Sequence, residues 1–233
     1  MKKNSKNILF LCLVYLLTAC DTNDANLDLV PLGTDYFPLI IGHFVAYNVK
    51  ETNYFLNEPR KTEATYQLKE VIKESYIDLA KNTTYRIERY KRNNGRDNWV
   101  LLNVWTARVD YLAAVKTEEN IPFIKLVFPF ERAKKWNANI LNTLNSDDYE
   151  IRDLGKTYSF AGKNYTETVT VAQNIDSTFV SKDVRTEVFA KNVGMIYKKS
   201  DVLIYCQSDN CRGKSEIERG KVLEMSIFDY GKE

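Results

Sequence analysis

The sequence predicts an all-β fold. The expected architecture is one curved, mainly antiparallel sheet, shaped as a half-barrel or a sandwich, with at most one or two short helices. Three observations carry this. Ten or so short segments rich in Val, Ile, Tyr, Phe and Thr recur at regular spacing. Clusters of turn formers, such as Asn93–Asn98 and Ala161–Asn164, separate them. Within several segments, polar and apolar residues alternate with the period of two that turns one face of a strand to a core.

The chain opens differently. Lys2, Lys3 and Lys6 precede an apolar run from Ile8 to Leu17, followed by Thr18, Ala19 and Cys20. This order of basic, apolar and small residues is that of an export signal. The apolar run is half the length of about 20 residues that a membrane-spanning helix needs. Leu17-Thr18-Ala19-Cys20 is similar to the lipobox of bacterial lipoproteins. The resemblance implies cleavage before Cys20, diacylation of its sulfur and acylation of the new amine. Two or more acyl chains hold a protein stably to a bilayer. The expected organisation is a signal peptide over 1–19, lipidated Cys20 with a flexible tether over 20–34, and one β-rich domain over 35–233. The tether is polar and carries Asp21, Asp24 and Asp28. Its acidic residues resemble, in a more spread-out form, the signals that route Bacteroidota lipoproteins to the cell surface.

Strand signals follow in order. In "HFVAYNVKETNYF", Val45, Tyr47 and Val49 oppose Phe44, Ala46 and Asn48. "TYQLKEVIKESYIDL" fits a helical stripe through Leu68, Val71 and Ile72, but its β-branched and aromatic residues favour strand. "TTYRIERYKR" sets Tyr85, Ile87 and Arg89 against Arg86, Glu88 and Tyr90. "WVLLNVWTARVDYLAAV" reads as one strand, and "IPFIKLVFPF" as another bounded by Pro122 and Pro129. In Glu131–Asn145, Trp136, Ile140 and Leu144 have helix spacing while four asparagines favour loop, so both readings stand. Two strands about Ala161–Asn164, two about Gly194 and a closing strand "KVLEMSIFDYG" complete the pattern. Most of Phe44, Phe123, Phe128, Phe130, Phe189 and Phe228 are expected in the core.

Removal of Lys2, Lys3 and Lys6 from the 33 basic residues leaves 30 against 31 acidic ones. The mature chain is therefore near neutral, and no nucleic-acid partner is expected. Two of the four cysteines, Cys12 and Cys20, fall in the signal and at the anchor. Cys206 and Cys211 remain, and an oxidising compartment predicts their disulfide. A zinc site wants four ligands, and a redox pair usually brackets two residues rather than four. Closing so small a loop contributes about 2 kcal/mol.

Candidates for chemistry are few. His43 is the only histidine and is expected as a surface or turn residue. The pairs Glu118-Glu119 and Asp147-Asp148 lie in turn-like contexts, and neighbours on a strand point to opposite faces. "DDYEIRD" lacks the spacing of a calcium loop. No catalytic residue, metal site or cofactor is expected, and ligand-binding residues are not assignable.

Several blocks resemble uncharacterised Bacteroidota envelope lipoproteins. "YFPLIIGHFVAYNV" (Tyr36–Val49) is similar to their Tyr-Phe-Pro-Leu-x-x-Gly opening, with Val45 where relatives often carry Trp. "KKWNAN", "TVTVAQN" and "EVFAKNVGMIYKK" are similar to later blocks, the last through Val188-Phe189-Ala190, Val193-Gly194 and Ile196-Tyr197. The resemblance implies an envelope location, at the outer membrane, and an all-β fold, and it implies no reaction. The functional expectation is a non-catalytic binding or structural module held to the membrane by its lipid, with an envelope protein as partner. The alternative is a carrier of lipid or another apolar ligand, by analogy with half-barrel carriers of the LolA/LolB kind. A glycan binder ranks below both.

Overall fold

Strand follows strand around a single ring. The computed structural model describes residues 33–233, so Cys20, the expected signal peptide and most of the tether lie outside the described residues. Twelve strands form one antiparallel sheet: β1 (His43–Tyr54), β2 (Lys61–Ile77), β3 (Thr83–Arg92), β4 (Val100–Asp110), β5 (Ala113–Glu118), β6 (Ile121–Val127), β7 (Lys135–Asn137), β8 (Asp148–Leu154), β11 (Thr168–Ser177), β12 (Ser181–Ala190), β13 (Gly194–Tyr205) and β14 (Ile217–Lys232). Between β8 and β11, β9 (Tyr158–Phe160) and β10 (Lys163–Tyr165) make a separate two-stranded ribbon.

The chain starts in the middle of the sheet at β1 and meanders out to one edge at β6. It crosses to the other edge at β7, then meanders back until β14 pairs with β1. The two edges meet. Ile124 N–H donates to the Ala138 carbonyl at 3.0 Å, and the Trp136 indole N–H donates to the Ile124 carbonyl at 2.9 Å. The sheet is thus nearly closed into a barrel, and closure removes most of the exposed edge that an open sheet leaves. Register shifts at Ala46/Tyr47, Ile72/Glu74, Ala114/Val115 and Val188/Phe189 supply bends, because an extra residue in one strand kinks it and sharpens its twist.

From Tyr47 on, burial in β1 follows the predicted alternation, with Tyr47 and Val49 buried and Asn48 exposed; before it, at the Ala46/Tyr47 bulge, Ala46 is buried together with Val45. Residues Thr168–Gln173 of β11 are buried without alternation. One side of this region is barrel interior, and the other lies beneath the β9–β10 ribbon. The ribbon is pinned by the Phe160 ring stacked on Tyr197 at 5.4 Å and by Tyr158 hydroxyl hydrogen-bonded to Thr170 at 3.0 Å.

Three expectations are corrected. "WVLLNVWTARVDYLAAV" is a hairpin, β4 and β5, turning at Tyr111-Leu112. Glu131–Asn145 forms no helix: the asparagines win it for turns, with Asn137 Oδ1 accepting the Asn139 N–H at 2.9 Å and Asn142 Nδ2 donating to the Pro122 carbonyl at 2.8 Å. Of the six phenylalanines placed in the core, Phe128 and Phe189 are buried; Phe44, Phe123, Phe130 and Phe228 are half-buried, because the barrel is filled largely by other groups. The Cys206–Cys211 disulfide is present and clamps the β13–β14 loop.

Gly220 has no room for a side chain. Its φ is +138°, and a Cβ would lie 2.2 Å from the Val202 carbonyl oxygen. Gly220→Ala is expected to destabilise the fold by more than about 2 kcal/mol, since backbone must move on the neighbouring strand. Urea unfolding of the two proteins measures the difference.

Candidate functional site

Seven charged side chains stand among apolar ones in the middle of the barrel. β2 contributes Glu70, β3 Arg89, β5 Lys116 and Glu118, β6 Lys125, β12 Glu187, and β13 Lys198. Several continue rows of apolar inward residues: Leu68 stands two before Glu70, Ile87 two before Arg89, and Ala114 two before Lys116. Phe37, Leu39, Ile72, Trp105, Phe189 and Met225 complete the walls of a cavity of about 100 Å³.

The ions form two connected groups. Glu187, 1% exposed, accepts Lys125 Nζ at 2.8 Å and Lys198 Nζ at 2.9 Å, both through Oε1. Lys125 also lies 3.4 Å from Glu118. On the opposite wall, Glu70 accepts Arg89 Nε at 3.0 Å and Lys116 Nζ at 2.7 Å. The Arg89 guanidinium lies 3.4 Å from the centre of the Trp105 ring, a stacked cation–π contact. Glu187 Oε2 is one of two buried side-chain oxygens without a hydrogen-bond partner among the described residues, the other being Asp201 Oδ1.

Burial alone pushes the Glu187 and Glu118 carboxyls up, but the nearby lysines outweigh it. Glu118 is lowered to about 2, through Lys125, Lys198 and Lys116. Glu187 is held well below the usual carboxylate range by Lys125 and Lys198. Lys125 would be lowered by burial, but Glu118 and Glu187 raise it above the ordinary lysine value. Burial raises the Tyr47 phenol, whose hydroxyl donates to the Met195 carbonyl at 2.9 Å. These shifts favour the charged forms of Glu118, Glu187 and Lys125 and the neutral form of Tyr47 at neutral pH.

The sequence-singled residues are spread between this site and the surface. His43 is half-buried at the start of β1 and lines the cavity, its Nε2 donating to the Val193 carbonyl at 3.0 Å. As a turn residue it matches the expectation, its backbone N–H closing the turn onto the Ile40 carbonyl at 2.9 Å, but it is half-buried rather than on the surface. Glu118 faces the interior, while Glu119 accepts the Asn103 amide at 2.5 Å and the Trp105 indole at 3.1 Å near the rim. Asp147 accepts both terminal nitrogens of Arg185, at 2.8 and 2.9 Å, and Asp148 accepts Ser146 Oγ at 3.1 Å. Among the described residues no three His, Cys, Asp or Glu side chains gather as a metal site. Two of the blocks noted in the sequence meet here: Phe37, Pro38 and Leu39 lie across the cavity, and the Pro38 ring packs on Gly194, whose φ of +94° suits glycine.

No protein-family model and no curated protein sequence matches the chain. Among solved structures it is similar to a protein from Bacteroides fragilis described as exported, with a YmcC-like fold. That pair shares 11% identity over 84% of this chain and 98% of the other, with a TM-score of 0.45. It is also similar to a protein from Parabacteroides distasonis described as a lipoprotein, at 9% identity, over 84% of this chain and 98% of the other, with a TM-score of 0.40.

Glu187→Gln leaves two lysines facing a neutral amide and is expected to cost about 3–5 kcal/mol, the usual penalty for breaking a buried pair. Glu118 and Glu187 titrate lower in the folded than in the unfolded protein. Their contribution is therefore complete above about pH 4.5, and it is lost as pH falls through the folded values, near 2 for Glu118. Tm measured from pH 7 to pH 2 should be flat and then fall below about pH 4.5, and the fall should be shallower in Glu187→Gln.

Proposed function

We propose that the protein is a lipid-anchored module of the cell envelope, at the outer membrane, that works by binding other envelope components and does no catalysis. The observation that carries this reading is the filled barrel. Ion pairs and the Phe37–Leu39 segment leave a cavity of about 100 Å³. Pockets for drug-sized ligands run to about 300–1,000 Å³, so this interior cavity is small for an acyl chain. A second hollow of about 440 Å³ lies at the β3–β4 turn, where Lys91, Arg92, Asp97, Val100 and Leu101 line it. The small interior cavity supports the binding module over the carrier. The glycan reading wants exposed coplanar rings. The stacked set Tyr158, Phe160 and Tyr197 is spent on holding the ribbon to the barrel. What remains for binding is the outer surface and the two rims.

Protein purified from its own envelope and examined by native mass spectrometry should show no bound lipid-sized mass. Such a mass, lost on denaturation, would return the carrier to first place. Cys20→Ala should release the protein from the membrane fraction and abolish incorporation of labelled fatty acid; unchanged retention and labelling would remove the anchor.

A further inference from the structure

The chain enters the barrel at one identifiable end. Gly33 lies against Phe130, where a Cβ would meet the ring at 2.7 Å, and the Asp35 carbonyl accepts the Asn192 N–H at 2.7 Å. Gly42 N–H then donates to the Ile72 carbonyl at 2.8 Å, which places the start of β1 beside the last part of β2. Two hairpins turn at this same end. Ile77 pairs with Thr83 to close β2–β3, and Asp110 pairs with Ala113 to close β4–β5. Two strand spacings, about 10 Å, separate their tips.

These tips are apolar and exposed. Leu79 is 104% and Tyr111 92% exposed, and Ile77 and Leu112 are exposed beside them in the same hairpins; Ile40 and Ile41 are exposed in the turn before β1, level with Ile72. The one acid of the β2–β3 turn, Asp78, is turned back: its carboxylate accepts the Asn82 N–H at 2.9 Å and Thr84 Oγ1 at 3.1 Å. That leaves Leu79 and Lys81 at the tip.

We propose that this rim is a membrane-contact face, with Ile77, Leu79, Tyr111 and Leu112 of the two hairpin tips seated in the interfacial layer of the bilayer. The proposal rests on the anchoring of Cys20. That residue stands thirteen positions before Gly33, so the extended chain between them reaches at most about 45 Å. The chain enters the domain at this end, so this rim meets the lipid with the least extension of the tether. Interfacial seating suits the residue types: Ile and Leu enter the acyl boundary, Tyr holds its hydroxyl among headgroups, and Lys81 meets anionic lipid. The opposite rim also exposes apolar tips, Phe55, Leu56, Phe179 and Val180, but the tether does not enter there. It serves as the internal control.

The test places an environment-sensitive thiol label at Leu79→Cys, Tyr111→Cys or Phe179→Cys in the full protein. Each is reconstituted in vesicles of phosphatidylethanolamine and phosphatidylglycerol that carry a lipid-borne quencher. Labels at 79 and 111 should shift to the blue and be quenched at least about fivefold more than the label at 179. Equal quenching at all three sites, or none at 79 and 111, overturns the proposal. Shielding of 79 and 111 in native envelopes but not in lipid vesicles also overturns it, in favour of a protein partner. Intact mass reads the anchor separately. If the protein carries no acyl mass, the anchor reading fails. The same vesicles added to that protein still decide the rim, quenching at 79 and 111 supporting it and absence overturning it.

Discussion

A carboxylate sealed inside the barrel holds two halves of the sheet in register. Glu187 on β12 receives Lys198 from the adjacent β13 and Lys125 from β6, which lies beyond the seam where the two sheet edges meet. At that seam β6 and β7 share no extended ladder; a few bonds such as Ile124 to Ala138 join them. The Lys125–Glu187 pair spans beneath it. Without that strut, β6 would be an edge strand joined to the rest of the barrel mainly through β5. Burying charge is costly, and well-packed hydrocarbon of equal volume would stabilise as much or more. What an ion pair adds is direction: its partners must meet in one arrangement, which fixes how far the ring closes.

The same network sets what the interior can hold. Seven charged side chains line the cavity, and the Phe37–Leu39 segment lines it with them. This is why the chain entry and the cavity are one region of the molecule. Pro38 rests on Gly194, His43 ties β1 to Val193, and Phe37 lies 6.5 Å from Phe189. A pull on the chain at Gly33 would therefore be transmitted to the barrel wall.

Much of the fold was legible in the sequence because strand periodicity is local. Val45, Tyr47 and Val49 announce their face whatever pairs with them, and Ala161-Gly162 marks its turn because both residues take positive φ there. Closure was not legible, since it depends on which distant strands meet. The site was missed for a different reason. Glu70 and Arg89 stand in their predicted rows beside Leu68 and Ile87, on the face that carries the apolar residues. A charge in an inward row is the signal, and it becomes readable only when the rows of several strands are set against one another. Each charge then has its counter-charge: Glu70 for Arg89 and Lys116, and Glu187 for Lys125 and Lys198.

Tyr149 and Trp136 show how far the interior commits its neighbours. Trp136 packs edge-on against Tyr149 at 5.9 Å, and its indole caps the Ile124 carbonyl on the far side of the seam. Burial raises the Tyr149 phenol, with Lys125 acting against it. The seam is thus bounded by an aromatic pair from β7 and β8 on one side and by the β6–β12 ion pair on the other. Of these residues, Trp136 falls in the Glu131–Asn145 segment that local pattern left open between helix and loop. Asparagines settle that segment, because Asn137, Asn139 and Asn142 satisfy backbone groups in turns more directly than a short helix would. The least regular stretch of the sequence is therefore the one that closes the barrel.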